Sequence, residues 1–256
     1  MGIPYYVASL LRAHKQANIE RKINDDPVEV DILGIDFNCF IHRYLDDENP
    51  VRSIMVALDD LITRTVRAKQ IYLAFDGLVP YAKMVQQRYR RMVRPRSSTG
   101  FDRQQISPGT PYMKELSDTI QAMFHNIVVS DTLEPGEGEH KIFKWLQHIP
   151  KKDRKEICIY GLDADLVLIA IAQSHLGNIR VLREVDEENN FSTLSIQALM
   201  TVLPIDPQRF VEMSVMCFGN DFMPTIAMFS LREDGYKRAI YFAERNDAAS
   251  QEKKVF

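Results

Sequence analysis

The chain has 256 residues, 45% of them hydrophobic and 26% charged, with a formal net charge of −3. That length suits one large α/β domain or two small ones, with a substantial buried core and an ordinary polar surface. The negative balance excludes a protein that coats nucleic acid through its overall charge, but not an enzyme whose cations are local.

Residues 3–17 carry the pattern of an amphipathic helix. Val28 to Ile35 reads as a strand, rich in β-branched residues and without helical period. A helix is expected over 51–69, a short buried strand over Ile71 to Phe75 and a helix over 81–93. Residues 95–108 hold Ser, Thr, Gly and Pro and read as a mobile loop. Then follow a helix over 111–124, a strand at Ile127 to Val129, a helix over Gly138 to His148 and a strand over Glu156 to Tyr160. Ala164 to Gln173 reads as a helix and Asn178 to Leu182 as a strand. A polar turn over Asp186 to Asn190 leads to a hairpin partner at Phe191 to Leu194, with helices near 195–203 and 207–217. This β-α alternation predicts an α/β fold, a mainly parallel sheet flanked by helices on both faces, taken as one domain over 1–256.

Three cysteines, Cys39, Cys158 and Cys217, stand far apart with no zinc-type spacing, which fits a reducing, intracellular setting. No segment is long enough to span a membrane, the longest apolar run being Leu166 to Ala172. The start lacks a signal-peptide pattern, and Tyr6 stands where a myristoylation signal needs Ser or Thr.

The acids fall at informative places. Asp36 follows Ile32-Leu33-Gly34-Ile35, Asp76 follows Ile71 to Phe75, and Asp163 and Asp165 follow Ile157 to Leu162. Each closes a predicted strand, the edge of an open α/β sheet where ligands bind. Any one alone is equally well read as an Asp capping the next helix; the repetition favours a site. Glu134-Pro135-Gly136-Glu137-Gly138-Glu139-His140-Lys141 interleaves acids with glycines that let the backbone turn tightly. Gly219-Asn220-Asp221-Phe222 adds another acid in a turn. Asp36, Asp76, Glu137, Glu139, Asp163, Asp165 and Asp221 gathered together would repel one another and protonate unless cations were bound. Oxygen ligands without a cysteine pair favour Mg²⁺ or Mn²⁺, and two such ions suit phosphodiester hydrolysis.

Residues 77–101 contain no acid, yet hold Lys83, Arg88, Arg90, Arg91, Arg94 and Arg96. On a helix Lys83, Gln87, Arg90 and Arg91 share a face, an arrangement that can grip a terminal phosphate. The simpler reading is an exposed basic helix paired with surface acids.

In order, Met1-Gly2-Ile3-Pro4, Asp36-Phe37-Asn38 with His42, Phe75-Asp76-Gly77 with Pro80, Ala82-Lys83-Met84 and Gln86 to Arg91, Ser107 to Thr110, Glu134 to Lys141, Gly161 to Leu166 and Gly219 to Pro224 resemble the catalytic region of the XRN-type 5′→3′ exoribonucleases. The resemblance implies a sheet of the kind shared by flap endonucleases and PIN-like nucleases, and a single-stranded RNA substrate with a 5′-monophosphate. It implies metal-site roles for the seven acids, a 5′-phosphate pocket of Lys83, Gln87, Arg90 and Arg91, base stacking on His42, and charge stabilisation by Lys83 at the scissile phosphate. Such proteins carry a long further region that supplies an aromatic residue opposite the histidine. This sequence ends at Phe256, and its single tryptophan, Trp145, falls in a predicted helix and reads as core. A distributive enzyme is therefore expected, from a compact homologue, viral ones included, or from a piece of a longer chain. The expected setting is the cytoplasm before the nucleus, or a viral factory or virion if viral. A flap-type DNA nuclease and a non-catalytic RNA-binding protein are the other readings, and the intact acid set weighs against the second.

Overall fold

The computed structural model describes residues 3, 5–15, 19–23, 26–93, 101–185 and 190–252, without the side chains of residues 90, 91 and 246–252. The motif residues at 1, 2 and 4, the end of the first predicted helix at 16–17, the loop over 95–100 with Arg94 and Arg96, and the turn over 186–189 lie outside the described residues.

In chain order the elements are α1 (Tyr6–Ala13), β1 (Glu20–Lys22), β2 (Val28–Asp36), α2 (Phe37–Ile41), α3 (Pro50–Asp60), β3 (Val66–Ala74), α4 (Tyr81–Val93), α5 (Pro111–Met123), β4 (Ile127–Ser130), α6 (Gly138–His148), β5 (Glu156–Tyr160), α7 (Ala164–Ala172), β6 (Asn178–Glu184), β7 (Phe191–Ser195), α8 (Ile196–Val202), α9 (Pro207–Phe218) and α10 (Gly235–Glu252). The strands make one seven-stranded sheet in the order β1-β7-β6-β5-β2-β3-β4. β2 is parallel to β3 and β5, β3 to β4, and β5 to β6, as the β-α alternation predicts. The register sets Asp36 opposite Ala74, and Ile35 opposite both Leu73 and Tyr160. The carboxyl ends of β2, β3 and β5 therefore lie level, and residues just beyond them share one edge.

Packing divides the chain into two compact units. The larger comprises Lys22–Leu162 and Leu176–Thr193; the smaller comprises Met1–Arg21, Asp163–His175 and Leu194–Phe256. In the larger unit, side chains alternate across β2 and β3 and both faces are buried. Leu33, Ile35, Ile71 and Leu73 meet Phe37 and Phe40 of α2, Leu58 of α3 and Leu116 and Ile120 of α5. The other face takes α6. Gly34 leaves room for Ile142, whose Cγ2 would lie 2.6 Å from any added Cβ. Trp145 stacks on Tyr72 with centroids 4.6 Å apart and an interplanar angle of 12°, so it packs the sheet as expected.

In the smaller unit, α7 is apolar nearly all round and is buried, as such a helix must be. Tyr6 is enclosed; its hydroxyl bonds Ser214 Oγ at 3.0 Å and its ring meets Phe218 at 5.7 Å. Among the described residues, no helix is long and apolar enough to cross a membrane.

Several boundaries differ from expectation. The helix predicted over 51–69 ends in a π turn at Leu61–Thr65, and β3 already begins at Val66. Val66 to Gln70 pairs in register with Val28 to Ile32, so sheet hydrogen bonding overrides a segment whose charges look helical. The first helix is shorter, and β1, α2 and α10 were not foreseen.

Candidate active site

Four of the predicted acids lie in the larger unit. Asp36 ends β2 and occupies the N-cap position of α2, and Glu137 occupies that of α6, yet neither side chain takes a capping hydrogen bond. Elsewhere the chain does cap: Asn49, Thr110, Ser195 and Asp206 all accept the expected backbone N–H. A cap typically stabilises a helix by about 1 kcal/mol. Asp36 forgoes that, so capping does not account for it.

Local contacts hold these acids together. The Asp76 backbone N–H donates to Asn38 Oδ1 at 3.1 Å, and its carboxylate accepts the Gly138 N–H at 2.8 Å. The Cys39 thiol donates to Asp36 Oδ2 at 2.8 Å. Gly77 N–H donates to Gly136 O at 2.8 Å and Gly136 N–H to Leu78 O at 2.9 Å, tying the segment after β3 to the acid-glycine turn. Only glycine fits at 77, because a Cβ there would lie 1.8 Å from Glu134 O. Gly138 likewise opens space for Asp36, whose Oδ1 would be 2.6 Å from an added Cβ. Buried Lys141 donates to Phe75 O at 2.8 Å and Asp131 O at 2.7 Å, clasping the ends of β3 and β4.

The electrostatics are those of crowded carboxylates. Burial, then the charges of Asp36, Glu137 and Asp76, hold the Glu139 carboxyl well above its ordinary range. Burial also raises Asp76, with Glu137 adding to it and the Gly138 N–H, Lys83 and Lys141 opposing it.

The remaining three acids form a second group in the smaller unit. Asp163 is the N-cap residue of α7, again without a side-chain capping bond, and Asp165 lies in the first turn. Burial raises the Asp165 carboxyl, and the charges of Asp163 and Asp221 raise it further. Its Oδ1 is buried without a hydrogen-bond partner among the described residues. Asp221 sits in a built turn. Gly219 has φ 73°, and Asn220 Oδ1 accepts the N–H groups of Phe222 at 2.8 Å and Met223 at 2.9 Å.

The basic segment departs from the simple picture of an exposed cationic face. Lys83 is 7% exposed and its ammonium pairs with Glu137, an acid of the site rather than of the surface. Gln87 is half-buried on α4, His42 is exposed just after α2, and the side chains of Arg90 and Arg91 lie outside the described residues. Among the described residues, no three His, Cys, Asp or Glu side chains converge into a ready-made metal cage; instead Cys39, Gly138 and Lys83 supply donors to Asp36, Asp76 and Glu137. Cys39 and Lys141 were not singled out from sequence. Cys39 meets Asp36 across the first turn of α2, a local i,i+3 contact visible only once Phe37–Ile41 is known to be helix, whereas Lys141 acts through contacts that the fold creates.

Residues 1–100 and 92–185 match the model of the XRN 5′-3′ exonuclease N-terminus. That match includes six of the seven acids and stops short of Asp221. The 5′-3′ exoribonuclease 1 of Saccharomyces cerevisiae is 26% identical, aligned over 81% of this chain and 18% of its own length. The 5′-3′ exoribonuclease 2 homolog of Caenorhabditis elegans is 26% identical, over 94% of this chain and 37% of its own. The chain thus spans less than two-fifths of either relative. Among solved structures, the catalytic core of Rad2 in complex with DNA substrate matches with a TM-score of 0.61 at 16% identity, over 93% of this chain and 68% of that one. Flap endonuclease-1 from Methanococcus jannaschii gives 0.57 at 15% identity, over 92% and 77%. The fold is therefore the 5′-nuclease, PIN-like arrangement that the sequence motifs imply.

Proposed function

Because the chain belongs to the XRN 5′-3′ exonuclease N-terminus family, we propose that it hydrolyses single-stranded RNA from a 5′-monophosphate end with the help of two divalent ions, Mg²⁺ or Mn²⁺. One observation carries this reading: Asp36, Glu137 and Asp163 stand at helix N-caps without capping. Burial and mutual repulsion meanwhile raise Asp76, Glu139 and Asp165. A fold that keeps carboxylates in so unfavourable a setting is balanced when cations join them.

The donor set fits that cation. It is all carboxylate oxygen, as a hard divalent ion prefers, and Asp165 Oδ1 is buried with no hydrogen-bond donor among the described residues. Asp36, Asp76, Glu137 and Glu139 would hold metal in the larger unit, and Asp163, Asp165 and Asp221 in the smaller. Such ions supply Lewis-acid polarisation of a phosphate and a nucleophile from water at neutral pH. The protein's own part is positional. Gly138 and Asn38 fix Asp76, Cys39 orients Asp36, and Lys83, kept beside Glu137, offers a cation to the charge that develops on the scissile phosphate. Gln87, Arg90 and Arg91, which follow Lys83 at helical spacing, would select the 5′-monophosphate, with His42 stacking on the terminal base.

The test is a matched set of RNA and DNA strands bearing 5′-phosphate, 5′-hydroxyl or 5′-triphosphate, in Mg²⁺ or EDTA. The expected result is Mg²⁺-dependent loss of 5′-phosphorylated RNA from its 5′ end. Preference for DNA flaps would instead favour a structure-specific DNA nuclease, and cleavage undiminished in EDTA would overturn the metal reading.

A further inference from the structure

α4 is amphipathic in the inverted sense. Lys83 points inward to Glu137, whereas Tyr81 is 78% exposed and Tyr89 67%. Val85, Arg88 and Met92 are exposed on the same side. Positions 81, 85, 88, 89 and 92 lie on one helical face, so a stripe of aromatic, aliphatic and guanidinium groups faces out of the larger unit. Beside it opens a cavity of about 400 Å³ lined by Leu78, Tyr81, Val85, Gln87, Arg88 and Pro108, among others. That volume lies within the range of small-molecule sites. Leu78 is also exposed.

We propose that this recess binds a nucleotide of single-stranded RNA, its base against Tyr81 and Leu78 and its phosphate on Arg88. The inference rests on the nuclease reading and extends it to a track outside the acids, one that meets the proposed phosphate face only at Gln87. Charge decides the occupant. Among the described residues no carboxylate lines the cavity, and residues 77–101 contain none. A second copy of the chain seated here would press Arg88 against Arg88 with no acid of the segment to neutralise them. A single strand brings what the surface lacks, anionic phosphates beside flat apolar bases. Tyr89 stands two turns further along α4, about 12 Å from Tyr81 at 1.5 Å per residue, and offers the next base a second ring.

The experiment measures binding of 3′-labelled, 5′-hydroxyl single-stranded RNA to the full chain by fluorescence anisotropy in EDTA, where neither cleavage nor 5′-phosphate recognition contributes. Tyr81→Ser should weaken binding about fivefold to a hundredfold, the range for loss of one stacked base. Arg88→Gln should lower the slope of log affinity against log salt by about 0.7. Both side chains are exposed, and circular dichroism checks that the variants fold. Light scattering follows the oligomeric state alongside. Unchanged RNA affinity and salt slope in both variants would overturn the proposal, as would a dimer that Tyr81→Ser dissociates without affecting RNA. Mg²⁺-dependent hydrolysis by the wild-type chain, assayed separately, shows whether the nuclease reading stands when the track fails.

Discussion

Gly138→Ala isolates the position of a single carboxylate. The added Cβ would lie 2.6 Å from Asp36 Oδ1 and 3.2 Å from Ala74 O, so the carbonyl blocks its retreat and the carboxylate must yield. Reaching an ordinary contact of 3.4 Å requires about 0.8 Å of movement (3.4 − 2.6). The Gly138 N–H that holds Asp76 is kept by alanine, so Asp76 stays in place. A misplacement near 1 Å at a reacting site costs up to roughly a hundredfold in rate, and metal ligands tolerate only about 0.2 Å. Hydrolysis of 5′-phosphorylated RNA at saturating Mg²⁺ should fall about tenfold to a hundredfold. Stability should change little, since alanine's helix propensity, worth about 1 kcal/mol over glycine, offsets part of the crowding. The assay pairs initial rates with a urea melt. A variant that folds and cleaves within twofold of wild type would refute the idea that Asp36 must sit where Gly138 lets it.

Three further outcomes follow from the same geometry. Lys83→Met strands half-buried Glu137 and should destabilise the fold by up to about 3 kcal/mol; Glu137→Gln in the same chain should restore much of that in a denaturant melt, and an additive double mutant would show that the pair is not coupled. Asp165→Asn removes a carboxylate that burial, Asp163 and Asp221 all disfavour, so the metal-free protein should melt higher while RNA hydrolysis is lost; a lower melting temperature would contradict the repulsion. Because the folded state raises the Glu139 carboxyl, its contribution to stability is most favourable below the unfolded value of about 4.3. It falls as pH rises toward the folded value and stays low above it. The stabilisation by Mg²⁺ should therefore be larger at pH 8 than at pH 5, and thermal melts showing a pH-independent Mg²⁺ shift would count against a charge-driven site.

Much of the architecture could be read directly. The boundaries of α4, α6 and β5 coincide with their predicted limits, because each combines a clear periodicity or apolar run with an abrupt chemical stop. What escaped were segments whose state is settled by distant partners. Val66 to Gln70 becomes strand only because Val28 to Ile32 lies alongside it, and Phe37–Ile41 turns into a helix so short that its apolar residues look like a continued strand. The acids were legible because residue type and position at a strand end suffice to suggest them. Their supports were not. The Cys39 thiol reaches Asp36 only because Phe37–Ile41 is a helix, which the sequence reading missed, and the Lys141 clasp on Phe75 and Asp131 joins residues that no local pattern relates.

α4 shows why identity alone misassigns direction. From spacing, Lys83 and Gln87 belong to one phosphate-gripping face, and the flanking Tyr81 and Tyr89 carry no signal of their own. In the fold the ammonium is buried among acids while Tyr81 and Tyr89 face solvent. Burying a lysine needs a compensating charge, and Glu137 provides it. Exposing two tyrosines, Val85 and Met92 on one face lacks any such local compensation, so the stability of the isolated chain does not explain it. The proposed reading gives the two faces of α4 separate tasks, with charge where phosphate chemistry would occur and aromatic surface where a strand would run.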